Sequence, residues 1–189
     1  MIKKITKSGL EIFIRPESAN EHETVNRIVH VAFTQDHGIN TAEEIVGYLK
    51  EARKKDTFTP ELSLVAMLKN GKIVGQVTLY ETDIITESGR NTQLVLSQSA
   101  VLPEYRMRGI LREMVDFALG RAREMGYGAV FLGGNPNLYG KFGFEPSYKY
   151  GIHHEKSEKI EGYKNGCLVC ILIPGALDGV TGTTSYYAG

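Results

Sequence analysis

The stretch Ala100-Val101-Leu102-Pro103-Glu104-Tyr105-Arg106-Met107-Arg108-Gly109-Ile110-Leu111 decides how the rest of the chain is read. A β-rich run, Thr92 to Val101, ends at Leu102-Pro103, and two arginines and a glycine follow. From Gly109 to about Met125 the apolar residues Leu111, Met114, Val115, Ala118, Leu119 and Ala122 recur every three or four positions, with Gly126 as the stop. Strand, tight turn and long helix are therefore expected in that order. The first N–H groups of such a helix lack partners within it and carry the positive end of its dipole. A phosphate can settle there, with Arg106 and Arg108 adding charge and Gly109 removing a Cβ that would block close approach. The same arginines also suit a solvated loop. The lysine and second glycine of a nucleotide-binding P-loop are missing.

Working outward toward the N-terminus, Ser88-Gly89 and Asn70-Gly71 mark turns. Leu62 to Leu68 and Ile73 to Tyr80 read as a hairpin across the second of these. Two helices precede it: Asn20-x-x-Glu23 and Thr41-x-x-Glu44 are capping boxes. The stripes that follow are Val25, Ile28, Val29 and Ala32 for one helix, and Ile45, Tyr48, Leu49 and Ala52 for the other. A strand from Leu10 to Arg15 comes first. Toward the C-terminus, Ala129 to Leu132 is a short strand, and Asn135-Pro136 starts a helix over 137–142 closed by Gly143. Strands from Phe144 to His153 and from Leu168 to Ile173 complete the order β-α-α-β-β-β-α-β-α-β-β, an α/β chain with a mixed sheet and helices on its faces.

The 189 residues suit one domain, 1–189, ending in a Gly-rich tail from 174 to 189. Hydrophobic residues at 42% and charged residues at 23% exclude a disordered chain. Lys plus Arg equals Asp plus Glu at 22 each, so the bulk positive charge of a nucleic-acid binder is absent and no nucleic acid is expected as partner. No run of signal or membrane-span length occurs, so no membrane contact and a cytoplasmic location are expected. Cys167 and Cys170 fall in a strand-like run where residues three apart point to opposite faces, which favours two buried small hydrophobes over a metal or redox pair. His153-His154, with Glu155 and Lys156, reads as a solvated polar turn; no metal site is expected.

Two segments resemble the GNAT superfamily of acyl-CoA-dependent N-acetyltransferases, and the resemblance covers nearly the whole chain. Arg106-Met107-Arg108-Gly109-Ile110-Leu111 is similar to the family's Arg/Gln-x-x-Gly-x-Gly/Ala, departing only at Leu111. Asn135-Pro136-Asn137-Leu138-Tyr139-Gly140-Lys141-Phe142-Gly143-Phe144 is similar to its Asn/Asp-Pro-x-x-Tyr-x-x-Phe-Gly-Phe. Pro174-Gly175-Ala176-Leu177 resembles a bacterial subset of predicted acetyltransferases.

The resemblance implies a GNAT-like fold, acetyl-CoA as acyl donor, and direct acetyl transfer to a primary amine on a small molecule or peptide. Amides from Arg108 to Leu111 would cradle the pyrophosphate, the Arg106–Leu111 segment and Asn135 would help hold the cofactor, and main-chain groups near Ala100 and Val101 would pair with pantetheine. Tyr139 would meet the cofactor and protonate the departing thiolate, a group with pKa about 8.5 against about 10 for a phenol. An aromatic packed against the sheet is the alternative for that residue. The acceptor amine must lose a proton, for which Glu81, Asp83 or a water chain are the candidates. Met107 stands where glycine is frequent, and Leu111 either blocks a phosphate oxygen or joins the apolar stripe. Ser97-Gln98-Ser99 is polar for its strand and is expected to tune acceptor choice. The tail is expected to cover the site or to meet a second copy in a homodimer. A catalytically silent acyl-CoA-binding sensor or partner module of the same fold is the alternative function.

Overall fold

Alternate residues along Glu11–Pro16 turn inward to make a half-buried strand, β2, with Ile12 and Ile14 fully inside. It pairs with a strand the sequence does not announce, β1 (Ile2–Ile5), through Ile2↔Ile14 to Ile5↔Glu11. Lys3 and Lys4 disguise β1, yet lysines are what an edge strand carries to discourage pairing with other chains. The computed structural model describes residues 1–156 and 166–186; the last three positions of the expected tail lie outside them. Residues 1–79 with 98–118 form one compact unit, and 80–97 with 119–189 form another.

In the first unit, β2 continues antiparallel to β3 (Ser63–Leu68), and β3 to the first half of β4 (Ile73–Thr86), with Ser63 opposite Thr78. The Asn70-Gly71 turn closes this hairpin as expected: Gly71 N donates to Leu68 O, and Asn70 Oδ1 accepts from Lys72 N. Helices α1 (His22–His37) and α2 (Ile39–Ala52) bury the anticipated stripes, Val25, Ile28, Val29 and Ala32 on one and Ile45, Leu49 and Ala52 on the other. Tyr48 is the exception, 40% exposed. The helix starts differ from the capping boxes. Asn20 lies in a 3-10 turn, Ala19–Glu21, whose Glu21 accepts from Ser18 N, and Thr41 lies inside α2 because the chain reverses at Gly38. The unit also holds the end of β5 (Gly89–Val101), tied to β4 by Leu102 N donating to Val74 O, and the start of α3 (Ile110–Glu124).

In the second unit, β5 runs parallel to β6 (Ala129–Gly133), with Leu94 opposite Val130. Parallel neighbours need a crossover, which α3 supplies between them. After β6 come α4 (Pro136–Tyr139), β7 (Glu145–Pro146), β8 (Ile152–His154), β9 (Cys167–Ile171) and β10 (Gly182–Thr184). Antiparallel β9 joins β6 to β7. The sheet is therefore mixed, with helices on its faces, as the element order anticipates.

Two expectations change here. The strand expected from Phe144 to His153 is interrupted: Pro146 has no N–H to extend pairing, and a 3-10 turn, Ser147–Tyr150, follows it. The expected solvated turn at His153-His154 is instead β8. His153 is exposed, but His154 is only 1% exposed because the tail strand β10 runs beside β8 and also pairs with the far half of β4. His154 Nε2 lies 2.7 Å from Tyr186 O, its Nδ1 accepts from Lys156 N, and the two rings meet edge to face. Leu177 and Tyr186 complete a core with Ile84, Val95, Phe131 and Val169. Cys167 and Cys170 are buried free thiols, and burial pushes Cys170 up to about 11.

Candidate active site

The strand-to-helix junction lies within the first unit and is braced from both sides. Pro103–Tyr105 forms a 3-10 turn after β5, and Arg106 N donates to Pro103 O. The Arg106 guanidinium turns inward: Nε donates to Val101 O at 3.2 Å, Nη2 to Ala32 O at 3.1 Å, and Nη1 and Nη2 grip the two oxygens of Asp36 at 2.7 and 3.0 Å. Its side chain ties the junction to α1, and its charge is matched by Asp36 rather than offered to an anion. Arg108 is exposed, lies over the Tyr105 ring, and among the described residues has no carboxylate partner. Of the two arginines, Arg106 is held by Asp36 and Arg108 stands exposed.

On the other side, Ser8 Oγ in the β1–β2 turn donates to Arg108 O at 2.8 Å. An open hollow of about 410 Å³ beside this bond is lined by Ser8, Gly9, Leu10 and Arg108. Gly109 has φ 86°, and a Cβ there would stand 3.3 Å from Lys7 N and Thr6 Cβ. Glycine is required by the left-handed backbone and by the neighbouring turn together, a reason distinct from ligand approach. Met107, fully exposed, also has a left-handed backbone at φ 59°, which explains why glycine suits that position. The first bond within α3 runs from Glu113 N to Gly109 O, so the amides of Ile110 and Leu111 precede the helix's own ladder. Ile110 is buried against the core and Leu111 is half-buried. Ala100 and Val101 are buried at the end of β5, and Ala100 O lies against Gly75 on β4.

The second unit brings Asn135 and Tyr139 together. Asn135 is exposed and its Oδ1 accepts from Asn137 N, so its side chain caps α4. Tyr139 is half-buried. Its ring packs on Gly134, where a Cβ would stand 2.8 Å from Cε2, and beside Phe142 and Phe144. The candidate carboxylates are both engaged. Glu81 Oε1 accepts from Tyr127 Oη at 2.7 Å, and burial together with this carboxylate pushes the Tyr127 phenol up to about 12. Asp83 accepts from Thr92 Oγ1 at 2.7 Å and from Arg90. Of the polar run on β5, Ser97 Oγ and both amide atoms of Gln98 are buried without a hydrogen-bond partner among the described residues.

Residues 13–147 match the model of the acetyltransferase (GNAT) domain. The chain belongs to the GNAT acetyltransferase family. This GNAT chain is 35% identical over 127 residues to YhbS of Escherichia coli strain K12, described as an uncharacterized N-acetyltransferase, covering 67% of this chain and 72% of that protein. It is 29% identical over 113 residues to YjhQ of the same strain, also an uncharacterized N-acetyltransferase, covering 60% of each. The crystal structure of Escherichia coli YhbS in complex with CoA superposes with TM-score 0.78 at 28% identity, covering 94% of this chain and 91% of that one. A GNAT-family acetyltransferase of Brucella melitensis in complex with acetyl-CoA superposes with TM-score 0.69 at 24% identity, covering 94% and 96%; that likeness is one of fold.

Sequence reasoning missed the residues that brace the junction. Asp36, Ser8 and Thr6 lie far from it along the chain and carry no motif. It also missed a buried polar row, Gln76 and Thr78, which interrupts the apolar first half of β4. Two polar residues at alternate positions of a core strand were the signal available there.

Proposed function

We propose that this chain is an N-acetyltransferase that moves an acetyl group from acetyl-CoA directly to a primary amine. The observation that carries the reading is the junction between β5 and α3. Its backbone is left-handed at Met107 and Gly109, it is clamped by Arg106 to α1 and by Ser8 to the β1–β2 turn, and it presents helix-end amides beside Arg108, which has no carboxylate partner among the described residues. Such a rigid, donor-rich turn fits a diphosphate. Half-burial of Leu111 leaves its backbone at the first turn of the helix, where an amide can still be offered. Acetyl-CoA supplies the activated acyl group as a thioester. The CoA and acetyl-CoA complexes of the Escherichia coli and Brucella proteins support the choice of donor.

In this reading the end of β5 pairs with the pantetheine arm. Val101 O already accepts from Arg106, so Ala100 and the remaining lone pair of Val101 are the groups offered. Tyr139 holds a proton for the departing sulfur, its ring kept in place by Gly134, Phe142 and Phe144. The test is calorimetry with CoA, followed by thiol release from acetyl-CoA over a panel of primary amines. Wild type binds CoA and turns over at least one amine; Tyr139→Phe keeps the CoA affinity and loses about tenfold or more in turnover, within the range of acid–base catalysis. No heat with CoA at millimolar concentration sinks the reading.

The engagement of both Glu81 and Asp83 favours a second reading, a silent acyl-CoA-binding module. Tight CoA binding with no turnover on any amine selects it.

A further inference from the structure

One buried chain of side chains in the first unit has its hydrogens fixed by counting donors. Arg53 donates through Nε and Nη2 to the two oxygens of Glu17, at 2.8 and 2.6 Å, and through Nη1 to Asn26 Oδ1 at 2.7 Å; the Arg53 and Glu17 side chains are almost wholly buried. A carboxylate accepts only, so Ser63 Oγ, 2.7 Å away, gives its single hydrogen to Glu17 Oε1. Thr78 Oγ1, 2.9 Å from Ser63 Oγ, must then donate to Ser63. With its hydrogen committed, Thr78 can only accept from Gln76, whose amide nitrogen is its donor. The carboxylate at one end therefore sets the amide at the other: nitrogen toward Thr78, carbonyl oxygen away from it.

That oxygen, Gln76 Oε1, belongs to a fully buried residue and has no donor among the described residues. On the neighbouring strand Gln98 is also fully buried, with neither amide atom bonded among the described residues. A chain that served stability alone would be expected to close its last acceptor, since an unmet buried carbonyl is costly. The location matters as well. Gly75, next in sequence, lies against Ala100 O, so the backbone of Gln76 is beside the strand end that the acetyltransferase reading gives to the acyl donor, while its side chain points to the face of β4 opposite Ile110 and Met114 of α3.

We propose that Gln76 positions the acyl acceptor, its Oε1 taking one N–H of the attacking amine. The inference rests on the acetyltransferase reading above. An amide oxygen cannot be protonated at neutral pH, so Gln76 holds the nitrogen and does not act as its base. A ligand at this oxygen must bring a donor. The acyl carbonyl, the thioester sulfur and the phosphate oxygens bring none, and the pantetheine amides are assigned to the main chain of β5. The amine is the co-substrate whose reacting atom is itself a donor, and holding one N–H leaves the lone pair to face the acyl carbon.

The test compares wild type with Gln76→Met, which keeps side-chain length without the oxygen, and Thr78→Val, which keeps shape but releases the amide to rotate. The amines are spermidine, L-lysine amide, a lysine peptide and an aminoglycoside. Thiol release gives KM and kcat, calorimetry gives the CoA affinity, and thermal melting checks folding. On an amine that wild type acetylates, Gln76→Met raises the amine KM about tenfold with the CoA affinity unchanged, and Thr78→Val raises it about threefold. An unchanged amine KM in folded Gln76→Met overturns the proposal and leaves the acetyltransferase reading standing. A parallel loss of CoA affinity also overturns it, by moving the bond to the donor. Wild type that binds CoA yet acetylates no amine overturns both. Should Gln76→Met fail to fold, Thr78→Val decides alone, and an unmoved amine KM there is fatal.

Discussion

Met107 and Gly109 both adopt left-handed backbone two residues apart, but only one of them is glycine, and the difference predicts opposite responses to substitution. Gly109→Ala meets the left-handed penalty and contacts at 3.3 Å with the β1–β2 turn, so it should lower unfolding stability by about 1–2 kcal/mol and weaken CoA binding. Met107→Gly relieves a strained, fully exposed residue and should raise stability by up to about 1 kcal/mol, leaving CoA affinity intact. Urea unfolding with calorimetry on the two variants checks both signs. Equal destabilisation in the two would mean that backbone conformation does not govern this turn.

At the scale of elements, the junction depends on a contact 70 residues away. Arg106→Lys keeps the charge but loses the fork that spans Asp36, Ala32 O and Val101 O. Because the ion pair is partly exposed, the melting temperature should change little, while the CoA dissociation constant should rise about three- to tenfold as the turn loosens. A large drop in melting temperature with unchanged affinity would reverse that assignment. This dependence also marks what the amino-acid order could and could not tell. The turn from β5 into α3 and the Asn135-Pro136 start of α4 are local signals, written in neighbouring residues, and both stand where expected. The inward turn of Arg106, the bond from Ser8 to Arg108 O and the docking of β10 beside β8 join residues remote in sequence, so nothing in a window of the chain announces them. The strand β1 was hidden for a different reason: its lysines suit an edge, and an edge strand loses the apolar periodicity by which strands are recognised.

At the scale of the whole chain, the tail that closes over His154 gives stability an acid limit. Burial holds the His154 imidazole below its ordinary value of 6.5, while the unfolded chain takes up the proton near that value. The contribution is therefore complete above pH 6.5 and is lost as pH falls through the lower, folded value. Glu21, held at about 2 chiefly by its hydrogen bond to Arg15, adds a separate loss that begins below its ordinary 4.5. Urea midpoints should fall between pH 7 and pH 5, and His154→Gln should flatten that interval while leaving the loss below pH 4.5; an unchanged slope in the variant would assign the acid sensitivity elsewhere. The two units draw on alternating stretches of the chain, 1–79 and 98–118 against 80–97 and 119–189. No single cut yields either of them as one continuous piece. On a ribosome, the first cannot be finished until position 118 has left the exit tunnel, by which time the opening strands of the second are already waiting.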